Sequence, residues 1–196
     1  MSGKTHRDAP QPDLLSEPAL RAAALRYLAR YAATAEQVTR VLQRRLMRHG
    51  DGDPASAAEV KERIARVVAA LAGAALLNDA DYAAMKAGSL YRRGASSLQI
   101  LATLRDKGVP DGLAREALAE LDALHGEDRE RRAALRYAQR RGLGPWTRPE
   151  RRADRRLRDI AAMMRAGFPA PLATWAVDAE RTEADALLAG PAAPDR

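Results

Sequence analysis

The chain has 196 residues, a mass of 21.3 kDa, a net charge of +7 and an isoelectric point near 10.2. It holds 44 alanines but only 17 valines, isoleucines and threonines together, a balance that argues against a sheet and for an all-α protein. The lack of cysteine excludes disulfide scaffolds, thiolate metal sites and cysteine nucleophiles, and the charge makes a polyanion or an acidic protein surface the natural partner.

Residues 1–16 carry no apolar core of the kind a signal segment needs and are expected to be a disordered tail. A first repeat, 17–76, is expected to form helices over 17–32, 35–49 and 54–72. Its second helix opens on a capping-box pattern, Thr34 with Gln37, and closes on Leu46-Met47-Arg48-His49-Gly50. A second repeat, 77–126, places helices over 79–93, 97–107 and 111–124. Asp79 and Asp81, after Asn78, supply a negative first turn, Ser96 with Gln99 repeats the cap, and Leu104-Arg105-Asp106-Lys107-Gly108 repeats the ending before Pro110. A third repeat, 127–188, predicts helices over 127–141, 148–166 and 170–188. Its cap is Thr147 with Glu150, and its ending is Met163-Met164-Arg165-Ala166-Gly167 before Pro169. Residues 189–196, with Gly190, Pro191 and Pro194, read as a second disordered tail.

The three terminating glycines lie 58 and 59 residues apart, and Ala23-Ala24-Leu25-Arg26-Tyr27 returns as Ala133-Ala134-Leu135-Arg136-Tyr137. Self-similarity at a fixed period marks a repeat architecture. With one Phe, two Trp and five Tyr, each core must be built from Leu, Ala, Val and Met. The expectation is three tandem three-helix repeats with three small cores, arranged as an elongated, curved rod.

The charge is unevenly spread. Residues 129–159 hold twelve Arg against four acids, a net of +8, so the remainder nets −1. On a helical wheel Arg148, Arg151, Arg152, Arg155 and Arg156 form one stripe, with Ala153, Leu157, Ile160, Ala161 and Met164 nearly opposite. Arg129, Arg132, Arg136 and Arg140 form a second stripe on the preceding helix. Both are expected to face away from the core. Like charges at i, i+4 disfavour a helix, so such stripes point to an anionic partner that Arg can grip in bidentate fashion. With few aromatic residues nearby, contact with a nucleic-acid backbone is favoured over base readout. Trp146 and Phe168 are expected to be core or turn anchors.

Catalytic and metal-binding patterns fail on inspection. His6, His49 and His125 have no partners at ligand spacing. Asp51, Asp53 and Glu62 fall at calcium-loop positions, but Ala55 and Ser56 replace the fifth ligand and the sixth-position glycine. Gly142-Leu143-Gly144-Pro145 follows no strand and leads to no Gly-Lys-Ser/Thr. The expectation is a non-enzyme without cofactor or metal. No apolar run approaches the roughly 20 residues needed to span a bilayer, so a cytoplasmic protein is expected, with no membrane contact.

Four segments together resemble the RecX family of bacterial recombination regulators, in its alphaproteobacterial form. They are Ala24-Leu25-Arg26-Tyr27-Leu28-Ala29-Arg30-Tyr31-Ala32-Ala33-Thr34; Leu77-Asn78-Asp79-Ala80-Asp81-Tyr82-Ala83; Arg92-Arg93-Gly94 through Leu104-Arg105-Asp106-Lys107-Gly108-Val109; and Ala134-Leu135-Arg136-Tyr137 with Gly144-Pro145. The resemblance runs from about residue 20 to 178. It departs at Tyr31, where many members have Arg, and at Asn78, where many have Asp. It implies a modulator that binds the RecA filament on single-stranded DNA and lowers its ATPase and recombinase activity; the nine stripe arginines, taken from the charge pattern, are the expected contacts with RecA or the DNA backbone, and a monomer is expected. The competing reading is a helical module that binds nucleic acid independently of sequence and without RecA. A third is a purely structural helical adaptor.

Overall fold

A computed structural model describes residues 13–50 and 52–189. The two expected tails therefore lie mostly outside the described residues, as do His6 and Asp51. Among the described residues every regular element is helical, and they gather into two compact units that divide between Asn78 and Asp79.

The first unit is a trio: α1 (Glu17–Leu28), α2 (Ala35–His49) and α3 (Pro54–Gly73). All three pack on one another around Leu20, Val38, Leu42, Ile64, Val67 and Leu71. Thr34 forms the expected capping box, its hydroxyl accepting from Gln37 N at 3.1 Å while Gln37 Oε1 accepts from Thr34 N at 3.1 Å. Pro54 starts α3, where its missing N–H costs nothing, and the Asp53 carboxylate accepts from Ser56 N at 2.9 Å. The chain is ordered earlier than expected. Asp13 and Ser16 close a turn that puts Leu15 into the core. Helix α1 stops at Leu28 rather than at 32, and Gly50 ends α2 in an extended conformation, φ −72°, rather than a left-handed one.

The second unit holds α4 (Asp79–Arg92), α5 (Ser97–Asp106), α6 (Asp111–His125), α7 (Arg129–Arg141), a 3-10 turn (Gly144–Trp146), α8 (Pro149–Arg165), α9 (Ala170–Asp178) and α10 (Arg181–Ala189). Two of the expected three cores are one. A continuous cluster runs from Tyr82 to Ala184, with Ile100, Leu104, Leu135, Met163 and Phe168 at its centre. The reason lies in α7, whose Ala133, Ala134, Leu135 and Ala138 are all fully buried. Small residues let this helix contact α4 and α6 on one side and α9 and α10 on the other.

Within this unit, helix ends lock α5 to α7 and to the turn after α8. Ser96 caps α5 by accepting from Gln99 N, and its hydroxyl donates to Ala166 O at 2.7 Å, in the turn after α8. That turn closes on Gly167 at φ +88°, where a Cβ would stand 2.6 Å from Ser96 Oγ. Only glycine meets both demands. From α7, Glu130 accepts from Ser97 N at 3.0 Å and from Ser97 Oγ at 2.6 Å, giving α5 an anionic cap borrowed from another helix.

The helix expected over 170–188 is broken. Ala179 is extended, with φ −53° and ψ 145°, and α9 and α10 are separate. Arg152 explains the break, because its Nη2 donates to Val177 O at 3.3 Å and to Ala179 O at 2.7 Å and so satisfies carbonyls that a continuing helix would have used.

An arginine cleft between α7 and α8

The stripe on α7 is engaged in contacts within the protein, from the buried Arg129 through the half-buried Arg132 and Arg136 to the exposed Arg140. Arg129 is buried and paired with Asp122, with Glu130 at 2.9 Å and with Ser97 Oγ at 2.6 Å. Arg132 donates to His125 O at 3.1 Å, Arg136 lies 4.7 Å over the Tyr91 ring, and Arg140 donates to Arg93 O. His125 stacks at a tilt on Tyr91, with centroids 4.4 Å apart. Burial, then the nearby guanidiniums of Arg136, Arg132 and Arg129, hold its imidazole below the ordinary 6.5.

Helix α8 is rotated from the wheel's expectation. Leu157 is 76% exposed, Met164 48%, and Ala153 is exposed as well, whereas Asp159 and Met163 are buried and Arg152 and Arg155 half-buried. Of the expected apolar face Ala153, Leu157 and Met164 point outward while Ile160 still packs on the core and Ala161 is half-buried, and part of the arginine stripe turns inward. The cause is polar. Asp159, 2% exposed, accepts from Gly144 N at 3.0 Å and from Thr147 Oγ1 at 3.1 Å, and pairs with Arg155 at 3.6 Å. Thr147 is thereby drawn away from the capping role expected of it; Arg148 stands at the N-cap instead. Arg156 grips Asp178 in a fork, 2.7 and 2.6 Å, and that hydrogen bonding holds the Asp178 carboxyl below its ordinary range. An unpaired buried carboxylate or carbonyl costs more than an exposed leucine, so these contacts override apolar periodicity.

The two helices leave a site between them. Tyr137 and Arg141 of α7 and Arg151, Asp154, Arg155 and Arg158 of α8 line an open cleft of about 830 Å³, with Leu143 and Ala162 at its base. Arg141 lies 5.8 Å over the Tyr137 ring. Its other side, with Arg93 and Arg140, borders a smaller hollow of about 260 Å³ that shares Tyr137. Among the described residues Arg141, Arg148, Arg151 and Arg158 make no ion pair. Of the cleft's four guanidiniums Arg155 is paired with Asp159, so Arg141, Arg151 and Arg158 face the single carboxylate of Asp154, which suits a doubly charged anion such as phosphate, or a run of carboxylates. Of the nine stripe arginines only Arg151 and Arg155 line this cleft. Arg141 and Arg158, which the stripes omit, carry half its positive charge. Their signal was present in the sequence as a block of twelve Arg, but selecting among them required the true rotation of α8. Trp146 and Phe168 behave as anchors: Phe168 is buried against Tyr137, centroids 5.6 Å apart, and Trp146 packs partly buried beneath Arg181.

Among the described residues no group of three His, Asp or Glu side chains is placed to hold a metal, and no helix is long and apolar enough to cross a membrane. The family model for the second three-helix domain of RecX matches residues 78–118. The regulatory protein RecX of Myxococcus xanthus is 41% identical over 176 residues, which cover 89% of this chain and 92% of that one. The chain belongs to the RecX family. The RecX domain recognised within it is α4, α5 and most of α6, the trio whose Ser96 anchors the α8–α9 turn. The RecX crystal structure from Lactobacillus salivarius superimposes with a TM-score of 0.60 at 18% identity, covering 87% of this chain and 97% of that one. A second RecX crystal structure gives 0.58 at 20%, covering 83% and 74%. At such identities these RecX structures establish the shared all-helical fold.

Proposed function

We propose that this RecX-family chain binds RecA filaments on single-stranded DNA in the cytoplasm and lowers their ATPase and recombinase activity. It acts as a monomer, without catalysis or cofactor. The carrying observation is the convergence of Arg141, Arg151 and Arg158 on one open cleft with no ion pair, while neighbouring arginines are consumed in internal contacts. Holding three exposed guanidiniums side by side costs like-charge repulsion, which an anion arriving from outside would relieve. The partner's anion is supplied by acidic filament surface or by the DNA backbone.

Cosedimentation with RecA filaments, with RecA lacking DNA, and with single-stranded DNA alone tests the reading. Binding to naked single strands should weaken with salt by a log–log slope of about −0.7 per phosphate contact. Retention on filaments at salt that abolishes binding to DNA alone supports the proposal. Equal salt sensitivity of the two would favour the nucleic-acid module that acts without RecA.

A further inference from the structure

A second basic surface lies in the first unit, far along the sequence from the arginine-rich segment. Residues 17–49 contain seven Arg and two Glu, a net of +5 that acids between 50 and 128 hide in any whole-chain count. Both glutamates are occupied, Glu36 by Arg40 at 2.9 Å and Glu17 by Arg66 at 3.5 Å. Between α1 and α2 an open groove of about 690 Å³ is lined by Arg26, Tyr27, Arg30, Tyr31, Val41 and Arg45. Tyr27 packs partly buried on the core and supports Tyr31, with ring centroids 5.1 Å apart and planes tilted by 42°. Tyr31 is 57% exposed. Arg26 and Arg30 are exposed and in no ion pair among the described residues, while Arg45 is fixed by donating from Nε to Leu14 O at 2.9 Å.

We propose that this groove is a binding site for single-stranded nucleic acid, in which an unpaired base stacks on Tyr31 and the flanking phosphates meet Arg26 and Arg30. The chemistry selects this occupant. A large ring left in solvent beside a supporting ring offers a flat π-face, which every unpaired base can use, and the guanidiniums lining the same groove complement the backbone charge such a strand carries. An acidic peptide would use the arginines but leave the exposed ring without a matching flat partner. The site uses residues of the first unit alone and does not depend on the cleft of the second.

The test compares fluorescence-anisotropy titrations of the full chain with a thymidine 12-mer, a uridine 12-mer and an abasic 12-mer of equal charge. The Tyr31→Ala and Tyr31→Phe variants are titrated in parallel. Phosphate binding by any other basic surface contributes equally to the thymidine and abasic probes, so the difference between them isolates the base. Stacking of one base predicts that the wild type prefers thymidine over abasic probe by about tenfold, that Tyr31→Ala loses this preference, and that Tyr31→Phe keeps it. The salt slope should be the same for all three proteins. Uridine should match thymidine, because stacking does not read the sugar. Tyr31 is exposed and outside α1, so thermal melts of the variants should overlay that of the wild type. Equal wild-type affinity for thymidine and abasic strands, or an undiminished preference in Tyr31→Ala, would overturn the proposal. So would competition by polyglutamate that matches the thymidine strand and is lost in Tyr31→Ala, since the occupant would then be an acidic peptide.

Discussion

Replacing Arg129 by Met removes a guanidinium whose side chain is only 5% exposed while keeping much of its aliphatic stem. Three contacts go with it: the ion pairs to Asp122 and Glu130 and the hydrogen bond to Ser97 Oγ. Stranding one partner of a buried pair costs about 3–5 kcal/mol when the remaining charge has nowhere to go. Here Asp122 is half exposed and returns to water, and Glu130 still accepts from Ser97 N and Oγ. The expected loss is therefore about 2–3 kcal/mol, or a fall of roughly 8–12 °C in the melting temperature of the second unit. Both tryptophans, Trp146 and Trp175, belong to that unit, so urea unfolding followed by their fluorescence reports it alone, while circular dichroism reports both units. The fluorescence transition of Arg129→Met should shift to lower urea with unchanged slope, and the part of the dichroism signal due to the first unit should not move. An unfolding midpoint equal to that of the wild type, combined with lost filament binding, would refute the structural role and return Arg129 to the contact surface.

Three further outcomes are expected. His125→Gln should flatten part of the acid dependence of stability: the folded state disfavours the imidazolium, so the unfolded chain binds the extra proton and wild-type stability falls as pH drops from 6.5 toward the lowered folded value, then levels off. The difference between wild-type and His125→Gln urea midpoints at pH 7.5 and in that lower range measures it, and a constant difference would contradict the influence of partial burial and the nearby arginines on His125. Gly167→Ala should cost about 2 kcal/mol or more in tryptophan-detected unfolding, because it combines strain at φ +88° with a Cβ 2.6 Å from Ser96 Oγ that breaks the bond to Ala166 O. On α8, Leu157→Gln should stay within about 0.5 kcal/mol of the wild type and Met163→Ala should lose about 3 kcal/mol, an order opposite to the one that apolar periodicity predicts.

Helix positions were legible wherever local chemistry decides them. Thr34 and Ser96 cap as their spacing says, and α6 and α9 begin directly after Pro110 and Pro169 as expected. The candidate site was legible only as a segment. Which arginines stay free depends on the rotation of α8, and that rotation is set by Asp159 reaching Gly144 N and Thr147 Oγ1 and by Arg152 and Arg156 reaching the end of α9. These partners lie 12 to 27 residues away in sequence, beyond any helical period. The same long-range contacts split the final helix. The union of the second and third cores was hidden for a related reason: α7 reads as a helix with an arginine stripe and one apolar face, yet its Ala133, Ala134 and Ala138 are small enough to allow burial on two sides. In the first unit, whole-chain charge cancellation concealed the arginines around Tyr31.

The most direct measurement is the rate of ATP hydrolysis by RecA on single-stranded DNA, titrated with the wild-type chain and with the combined variant Arg141→Gln, Arg151→Gln, Arg158→Gln. None of these side chains makes an internal ion pair, so the variant should fold and melt as the wild type does. The expected result is inhibition by the wild type and a shift of the half-inhibitory concentration by at least tenfold in the variant, as three lost charge-assisted contacts imply. Inhibition by the variant at the wild-type concentration would contradict the role of the cleft, and an ATPase rate untouched by the wild type would contradict the regulatory function itself.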